Sequence, residues 1–180
     1  IYLLSFGITT AVLKGYTPAG PGIIHGVTAP GLQIGRLDAV REFSDAIHID
    51  GTDRVLIVED ETKDSVVSMK LSAPGDTDGP IEDIPLPAGF YLKDMEGITM
   101  DRRGFVYVVS SHSLNTAGTP RRGSALARMK WIEPGRLVDA ETIADLRPWL
   151  ESEIPEIARV KDLSSDDGGL NIEGLAYDPE

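Results

Sequence analysis

Three acidic residues recur at one place in a repeated pattern, and their type suits chemistry. Glu96 opens the segment Glu-Gly-Ile-Thr-Met-Asp, which aligns without a gap onto the segment that begins at Asp45, and the pattern starts again at Glu173. Converging carboxylates can hold a hard cation such as calcium, or act as acid and base when crowding separates their pKa values. We therefore predict catalytic and metal-binding roles for Glu96 and Glu173, and a metal-binding role for Asp45.

A structural role is the alternative for these carboxylates, since each could accept backbone N–H bonds from a neighbouring repeat. The short acidic run 59–61 ends an apolar segment of the first repeat. It suits either an extension of the cation site or a solvated corner. The glycine after each glutamate leaves room for backbone or a ligand to come close.

A histidine and two arginines lie within the second repeat, after its second apolar run, and suit the binding of an anion. His112 comes after the apolar run 105–109, and Arg121 and Arg122 lie in an insertion at 113–123. Groups of this kind bind phosphate or carboxylate. We predict that these three residues bind a small anionic or ester substrate. A metal is the alternative ligand for His112, and a solvated basic loop is the alternative for the arginines. No Gly-x-Ser-x-Gly motif supports a serine hydrolase.

Short apolar runs separated by turn residues must position these side chains. They predict two sets of four strands, a short helix or turn over 146–157 and a loop over 164–169. Four short antiparallel strands within about 45 residues are typical of one propeller blade. The predicted strands are 45–50, 54–58, 65–71 and 81–86 in the first repeat, and 96–100, 105–109, 125–132 and 138–144 in the second.

The predicted fold is therefore all-β, a β-propeller built of four-stranded antiparallel blades. Residues 39–180 would form its N-terminal part, about two blades and the start of a third, so we expect an incomplete propeller. Residues 1–38 are rich in glycine and proline and predict an irregular leader. Because residue 1 is isoleucine, we expect the chain to be a fragment of a longer protein.

Composition narrows the classes of partner. The 180 residues carry a formal net charge of −12 and no cysteine. The charge disfavours nucleic acid and anionic membranes, and the missing thiols exclude disulfides and zinc–thiolate sites. The apolar segment 1–13 is shorter than the about 20 residues of a membrane-spanning helix. The composition suits a cytoplasmic protein as well as a secreted or periplasmic one.

Several motifs together resemble the bacterial DUF3616 family, over roughly residues 40–180. They are Asp-Met-Glu-Gly-Ile at 94–98, Val-Val-Ser-Ser-His-Ser at 108–113, the Arg-Arg pair with 125–130, and Asn-Ile-Glu-Gly-Leu-Ala at 171–176. This resemblance implies a β-propeller of which the chain holds about the first half. More distantly, the Glu-Gly-Ile/Leu repeats are similar to esterase-like phytase propellers, which implies calcium and phosphate-ester hydrolysis. The sequence shows no cluster of basic residues for a polyphosphate beyond Arg121 and Arg122.

Two hypotheses of function follow. In the first, the protein is a calcium-assisted hydrolase of phosphate or other small esters. In the second, it is a non-catalytic propeller that binds a ligand or a protein partner, and the acidic positions serve the structure. A propeller hosts many unrelated functions, so the fold alone does not decide between them.

Overall fold

The computed structural model describes residues 42–71 and 81–178. The predicted leader (1–38) and the predicted loop at 72–79 lie outside the described residues. Within the described residues, eight strands form two four-stranded antiparallel sheets, and three short helices follow the second sheet. The prediction of an all-β fold is confirmed at this level. No helix in the described part of the chain is long and apolar enough to cross a membrane.

The first sheet is a meander in which each strand pairs with the next one in the chain. Its middle strands are rich in valine and isoleucine, whose branched side chains suit a pleated and buried surface. Every predicted strand is present within two residues of its predicted ends. The four strands are β1 (Phe43–His48), β2 (Arg54–Glu59), β3 (Ser65–Lys70) and β4 (Ile81–Pro85).

The second sheet repeats the same order and ends in a helical segment. Its strands are β5 (Met95–Met100), β6 (Phe105–Ser110), β7 (Leu126–Ile132) and β8 (Arg136–Ala144). The predicted helix or turn is two helices, α1 (Leu146–Glu153) and α2 (Pro155–Arg159). The Asp145 side chain caps α1, and Pro155 opens α2, where its missing N–H costs nothing. The predicted loop contains a short 3₁₀ helix (Ser165–Asp167).

Apolar side chains of both sheets share one buried cluster. Strand β6 alternates between the two faces of its sheet. Val106 and Val108 join the cluster that also contains Leu56 and Val66 of the first sheet. Val109 joins a second cluster with Leu150 of α1. The second sheet therefore packs on the first sheet with one face, and its other face is covered by the helical segment near Val109 and Leu126. The members of the second cluster are Val109, Leu126, Leu146, Leu150, Leu170, Ile172 and Leu175.

The strand pairing corrects the alignment of the two repeats by one residue. Strand β1 skips Ser44 in its pairing with β2, and β5 skips Glu96 in its pairing with β6. Ser44, and not Asp45, is thus the structural equivalent of Glu96. The cause is the hairpin turn, which closes from Ile49 N to Arg54 O in the first repeat but one residue sooner, from Asp101 N to Phe105 O, in the second. A shift of one residue moves a side chain to the other face of a strand.

Candidate functional site

Three carboxylates meet where β2 ends and β5 begins. Asp60 directly follows β2, Asp94 directly precedes β5, and Glu96 is the residue that β5 skips in its pairing. All three are half-buried, and one oxygen of each lies within 4.8 Å of the others. One oxygen of Asp60, Oδ1, is buried and accepts no hydrogen bond from any described residue. Converging oxygens with an unsatisfied acceptor among them suit a hard cation such as calcium.

Glu96 has the most perturbed acidity in this group. Burial raises the pKa of Glu96 from its usual 4.5 to about 7, the negative charges of Asp94, Asp60 and Glu173 add to the increase, and a hydrogen bond with the Ser44 side chain opposes it. A carboxyl group with a pKa near neutrality can both hold and release a proton at physiological pH, as a general acid or base must.

The raised pKa predicts how stability depends on pH. Folding favours the protonated form of Glu96, so the penalty for ionising it is absent below pH 4.5 and fully present above about pH 7. We expect Glu96→Gln to raise the melting temperature at pH 8 and to change it much less at pH 4.5. The check is thermal unfolding in the presence of a chelator. Glu42→Gln, at an exposed glutamate, should show no such difference, and an equal effect of Glu96→Gln at both pH values would contradict the assignment.

Asp94 is held rigidly by its neighbours. Its backbone adopts a left-handed conformation with φ of 58°. The hydroxyls of Ser111 and Ser113 both donate to Oδ2 of Asp94, and Arg121 Nη1 donates to Oδ1 at 3.0 Å. The backbone N–H of Ser111 also donates to the carbonyl of Asp94. The end of β6 therefore fixes both the main chain and the side chain of Asp94.

Asp60 and Asp94 also line an open cavity of about 710 Å³. The cavity brings acidic and basic side chains together, which suits a ligand that carries a cation and an anion at once. Its other charged walls are Glu61, Lys63, Lys93, Arg121 and Arg122.

The insertion after β6 forms one wall of this cavity and is ordered by its own hydrogen bonds. Leu114 and Pro120 form an isolated antiparallel bridge. The side-chain oxygen of Asn115 accepts from the backbone N–H groups of Ala117 and Thr119, at 2.9 Å and 3.0 Å. An asparagine that bonds its own backbone in this way stabilises a tight turn. The ordered loop therefore leads directly into Arg121 and Arg122 at the wall of the cavity.

The other two predicted acidic residues lie outside the group of three. The Asp45 carboxylate accepts the backbone N–H of Ile98 in the neighbouring sheet, at 2.9 Å, and that of Ala46. This is the bonding expected of a structural role, and it joins the two repeats. Glu173 is exposed and accepts from Asn171. It is near enough for its charge to raise the pKa of Glu96, so it borders the group.

His112 lies behind the cavity and not among its lining residues. Its side chain is 1% exposed, and Nδ1 is 3.2 Å from Asp145 Oδ1, yet neither ring nitrogen makes a well-oriented hydrogen bond with a described residue. Burial lowers the pKa of His112; Asp145 opposes the shift and Arg147 adds to it. The ring therefore lies buried beside Asp145, the residue that caps α1.

Sequence reasoning did not find Asp94, Lys63 and Lys93. Asp94 has the character of a turn residue, and only its left-handed backbone turns it toward Glu96. The two lysines are far apart in the chain, and both line the cavity because a hydrogen bond from Leu92 N to the Lys63 carbonyl joins the segments before β3 and β5. Asp60 could be predicted from its position, because it directly follows the second strand of the first repeat, as Ser111 follows the second strand of the second repeat.

Comparisons of the chain with protein-family models, with curated proteins and with solved structures found no match. The resemblances to DUF3616 and to the phytase propellers therefore stay predictions.

Proposed function

We propose that this chain is part of a β-propeller that binds calcium and hydrolyses phosphate or other small esters in the cavity beside Asp60, Asp94 and Glu96. One observation carries the proposal. A half-buried group of carboxylates contributes two of its members to a cavity that four basic side chains also line. An ester that carries a phosphate needs a cation for its oxygens and fixed basic groups for its charge.

The carboxylates fit calcium by their chemistry. All of their donor atoms are oxygens, as calcium requires, and the buried Oδ1 of Asp60 lacks a hydrogen-bond donor among the described residues. Asp60, Asp94 and Glu96 would hold the ion, with Glu173 close by. Bound calcium would supply a Lewis acid that polarises the ester and lowers the pKa of water. Without a bound ion, Glu96 has a pKa of about 7, so a Glu96 that does not itself bind the calcium would hold or release the proton that the reaction moves.

The basic residues supply the binding of the substrate anion. Arg121, Arg122, Lys63 and Lys93 stand around one cavity, so the basic cluster that the sequence did not show is assembled by the fold. Arg121 is paired with Asp94 Oδ1 at 3.0 Å. A phosphate group would compete for that guanidinium and release the Asp94 oxygen toward the cation. Anion and cation should therefore favour each other's binding.

The propeller part of the proposal draws support from how the repeats touch. Asp45 of β1 reaches the backbone N–H of Ile98 in β5. Gly97, the structural equivalent of Asp45, lies against Gly174 and Leu175 of the third repeat. Each repeat thus meets the next at the same position. Repetition of one contact between successive four-stranded sheets is how a propeller is built.

A non-catalytic module that binds an anionic ligand or a protein partner is the second candidate. The pairing of Arg121 with Asp94 and the structural role of Asp45 favour it, because both satisfy acidic groups without an ion. Under this candidate the cavity binds its ligand and releases it unchanged.

A substrate screen separates the two candidates. We expect the protein to hydrolyse at least one member of a panel of phosphate monoesters, carboxylic esters and lactones with calcium, and to lose activity with a chelator. Lys93→Ala should lower kcat/KM by roughly tenfold or more, the expected loss from one charged hydrogen bond to the substrate. Lys70→Ala is the matched control, because Lys70 pairs with Asp53 on the surface. If the folded protein hydrolyses none of these esters, the hydrolase is rejected and the non-catalytic binding module remains as the candidate function.

A further inference from the structure

We infer that Arg147 is a positioning residue that holds Asp94 in the site through the main chain of His112 and the hydroxyls of Ser111 and Ser113. The inference rests on the proposed function, since it assigns a support to one of the proposed calcium ligands. Arg147 lies in α1, outside the cavity lining, and no motif in the sequence points to it.

Arg147 is a buried cation whose side chain donates three hydrogen bonds. The residue is 6% exposed. Its Nε donates to the carbonyl of His112 at 2.9 Å. Its Nη1 donates to Glu151 Oε1 at 2.7 Å and to the carbonyl of Lys161 at 3.0 Å. Nη2 of Arg147 is buried and has no hydrogen-bond partner among the described residues, so the three bonds made by Nε and Nη1 are what offset the burial of this charge.

The bond to His112 acts on a strained piece of main chain. His112 has a left-handed φ of 54°, and Asp94 has one of 58°. Only three non-glycine residues in the described part of the chain have a positive φ. Two of them are His112, which Arg147 contacts, and Asp94, the residue that we infer it positions. Side chains disfavour that conformation, and such residues persist only where their surroundings hold them. The hydrogen bond from Arg147 Nε to the His112 carbonyl stabilises this conformation.

The strained main chain at His112 sets the positions of Ser111 and Ser113 on either side of it. Ser113 N and Ser113 Oγ both lie within hydrogen-bond distance of Ser111 Oγ, at 3.1 Å and 3.0 Å. Both hydroxyls donate to Asp94 Oδ2, and Ser111 N donates to the Asp94 carbonyl at 2.9 Å. The backbone N–H groups and the hydroxyls of Ser111 and Ser113 are all positioned by the course of the chain through His112. Arg147 therefore orients Asp94 without touching the cavity.

The test compares Arg147→Lys with Arg159→Lys, an exposed arginine at the end of α2. Lysine keeps the charge but cannot reproduce three donors in a planar fork. We expect the affinity for calcium, measured by calorimetry, to fall roughly 10–100-fold in Arg147→Lys, as for other residues that orient metal ligands. Amide hydrogen exchange at Ser111 and Ser113 should speed up on the order of tenfold, with no change at Val106 and Val108. Arg159→Lys should change neither quantity.

A gentler variant covers the case in which Arg147→Lys does not fold. Glu151→Gln leaves Arg147 in place and removes only the charge of its partner, 2.7 Å away. It should shift calcium affinity and the exchange of Ser111 and Ser113 in the same direction by a smaller factor.

The outcomes separate this inference from the proposed function. If the wild-type protein binds calcium and both Arg147 and Glu151 variants bind it equally well, with unchanged exchange at Ser111 and Ser113, the inference is overturned and the calcium site stands. If the wild-type protein binds no calcium, the proposed function fails. Hydrogen exchange alone then tests whether Arg147 positions the main chain around His112. Faster exchange confined to Ser111 and Ser113 supports the positioning role, and unchanged or uniformly faster exchange rejects it.

Discussion

Glu96→Gln is expected to lower calcium-dependent ester hydrolysis by about 100-fold or more while the protein stays folded. The substitution removes either a negative ligand of the proposed ion or a general acid or base, and the loss of a general acid or base typically costs about 10²–10⁴-fold. The fold should survive, because Glu96 is half-buried and glutamine keeps its size and its ability to bond to Ser44.

The controls for Glu96→Gln use other carboxylates of the same chain. Glu42→Gln removes an exposed charge and should leave the rate unchanged. Asp45→Asn should reduce stability more than activity, because Asp45 accepts two backbone N–H groups and is not a member of the group of three. A Glu96→Gln protein that hydrolyses esters at the wild-type rate would contradict a catalytic role for this residue.

Gly97→Ala is expected to destabilise the protein by about 1–3 kcal/mol, the usual cost of forcing an extra carbon into a packed site. A Cβ at this position would lie 2.7 Å from Gly174 C and 2.7 Å from Leu175 N, which are backbone atoms and cannot rotate away. The third repeat would have to move off β5, and Glu173 would move with it. The measurement is the free energy of unfolding in urea, followed by calcium affinity.

Gly89→Ala provides a protein with lowered stability and an untouched site. Gly89 has a φ of 81° and no atom near its Cβ position, so alanine there adds only backbone strain, about 1–2 kcal/mol. It should leave calcium binding unchanged, whereas Gly97→Ala should weaken it. Gly97→Val should cost more stability than Gly97→Ala. Wild-type stability in Gly97→Ala would show that the third repeat does not pack on β5 as described.

The strands were predictable because their signal is local. Strand β6 is a short apolar run bounded by turn residues, and its Val106 and Val108 face one cluster while Val109 faces the other. The register of the inner strands was not predictable from the same pattern. A single extra residue in the turn after β1 makes Ser44 the equivalent of Glu96, and a gapless alignment of similar sequences hides such a shift.

The site was predictable in part for similar reasons. Glu96 could be found because a carboxylate beside glycine is conspicuous at the start of a repeat. Asp94 could not, because its contribution depends on a left-handed backbone and on two serines beyond the next strand. The side chain of His112 was predicted to bind substrate, but the chain turns at this residue so that its ring is buried beside Asp145.

A calorimetric titration with calcium is the first experiment to make, because calcium binding underlies the proposed function. We expect the wild-type protein to bind a calcium ion, and added inorganic phosphate to tighten binding because Arg121 leaves Asp94. Glu96→Gln should abolish binding, and Glu42→Gln should not. If the folded wild-type protein gives no heat and no thermal stabilisation with calcium, with or without phosphate, the proposed calcium site is wrong.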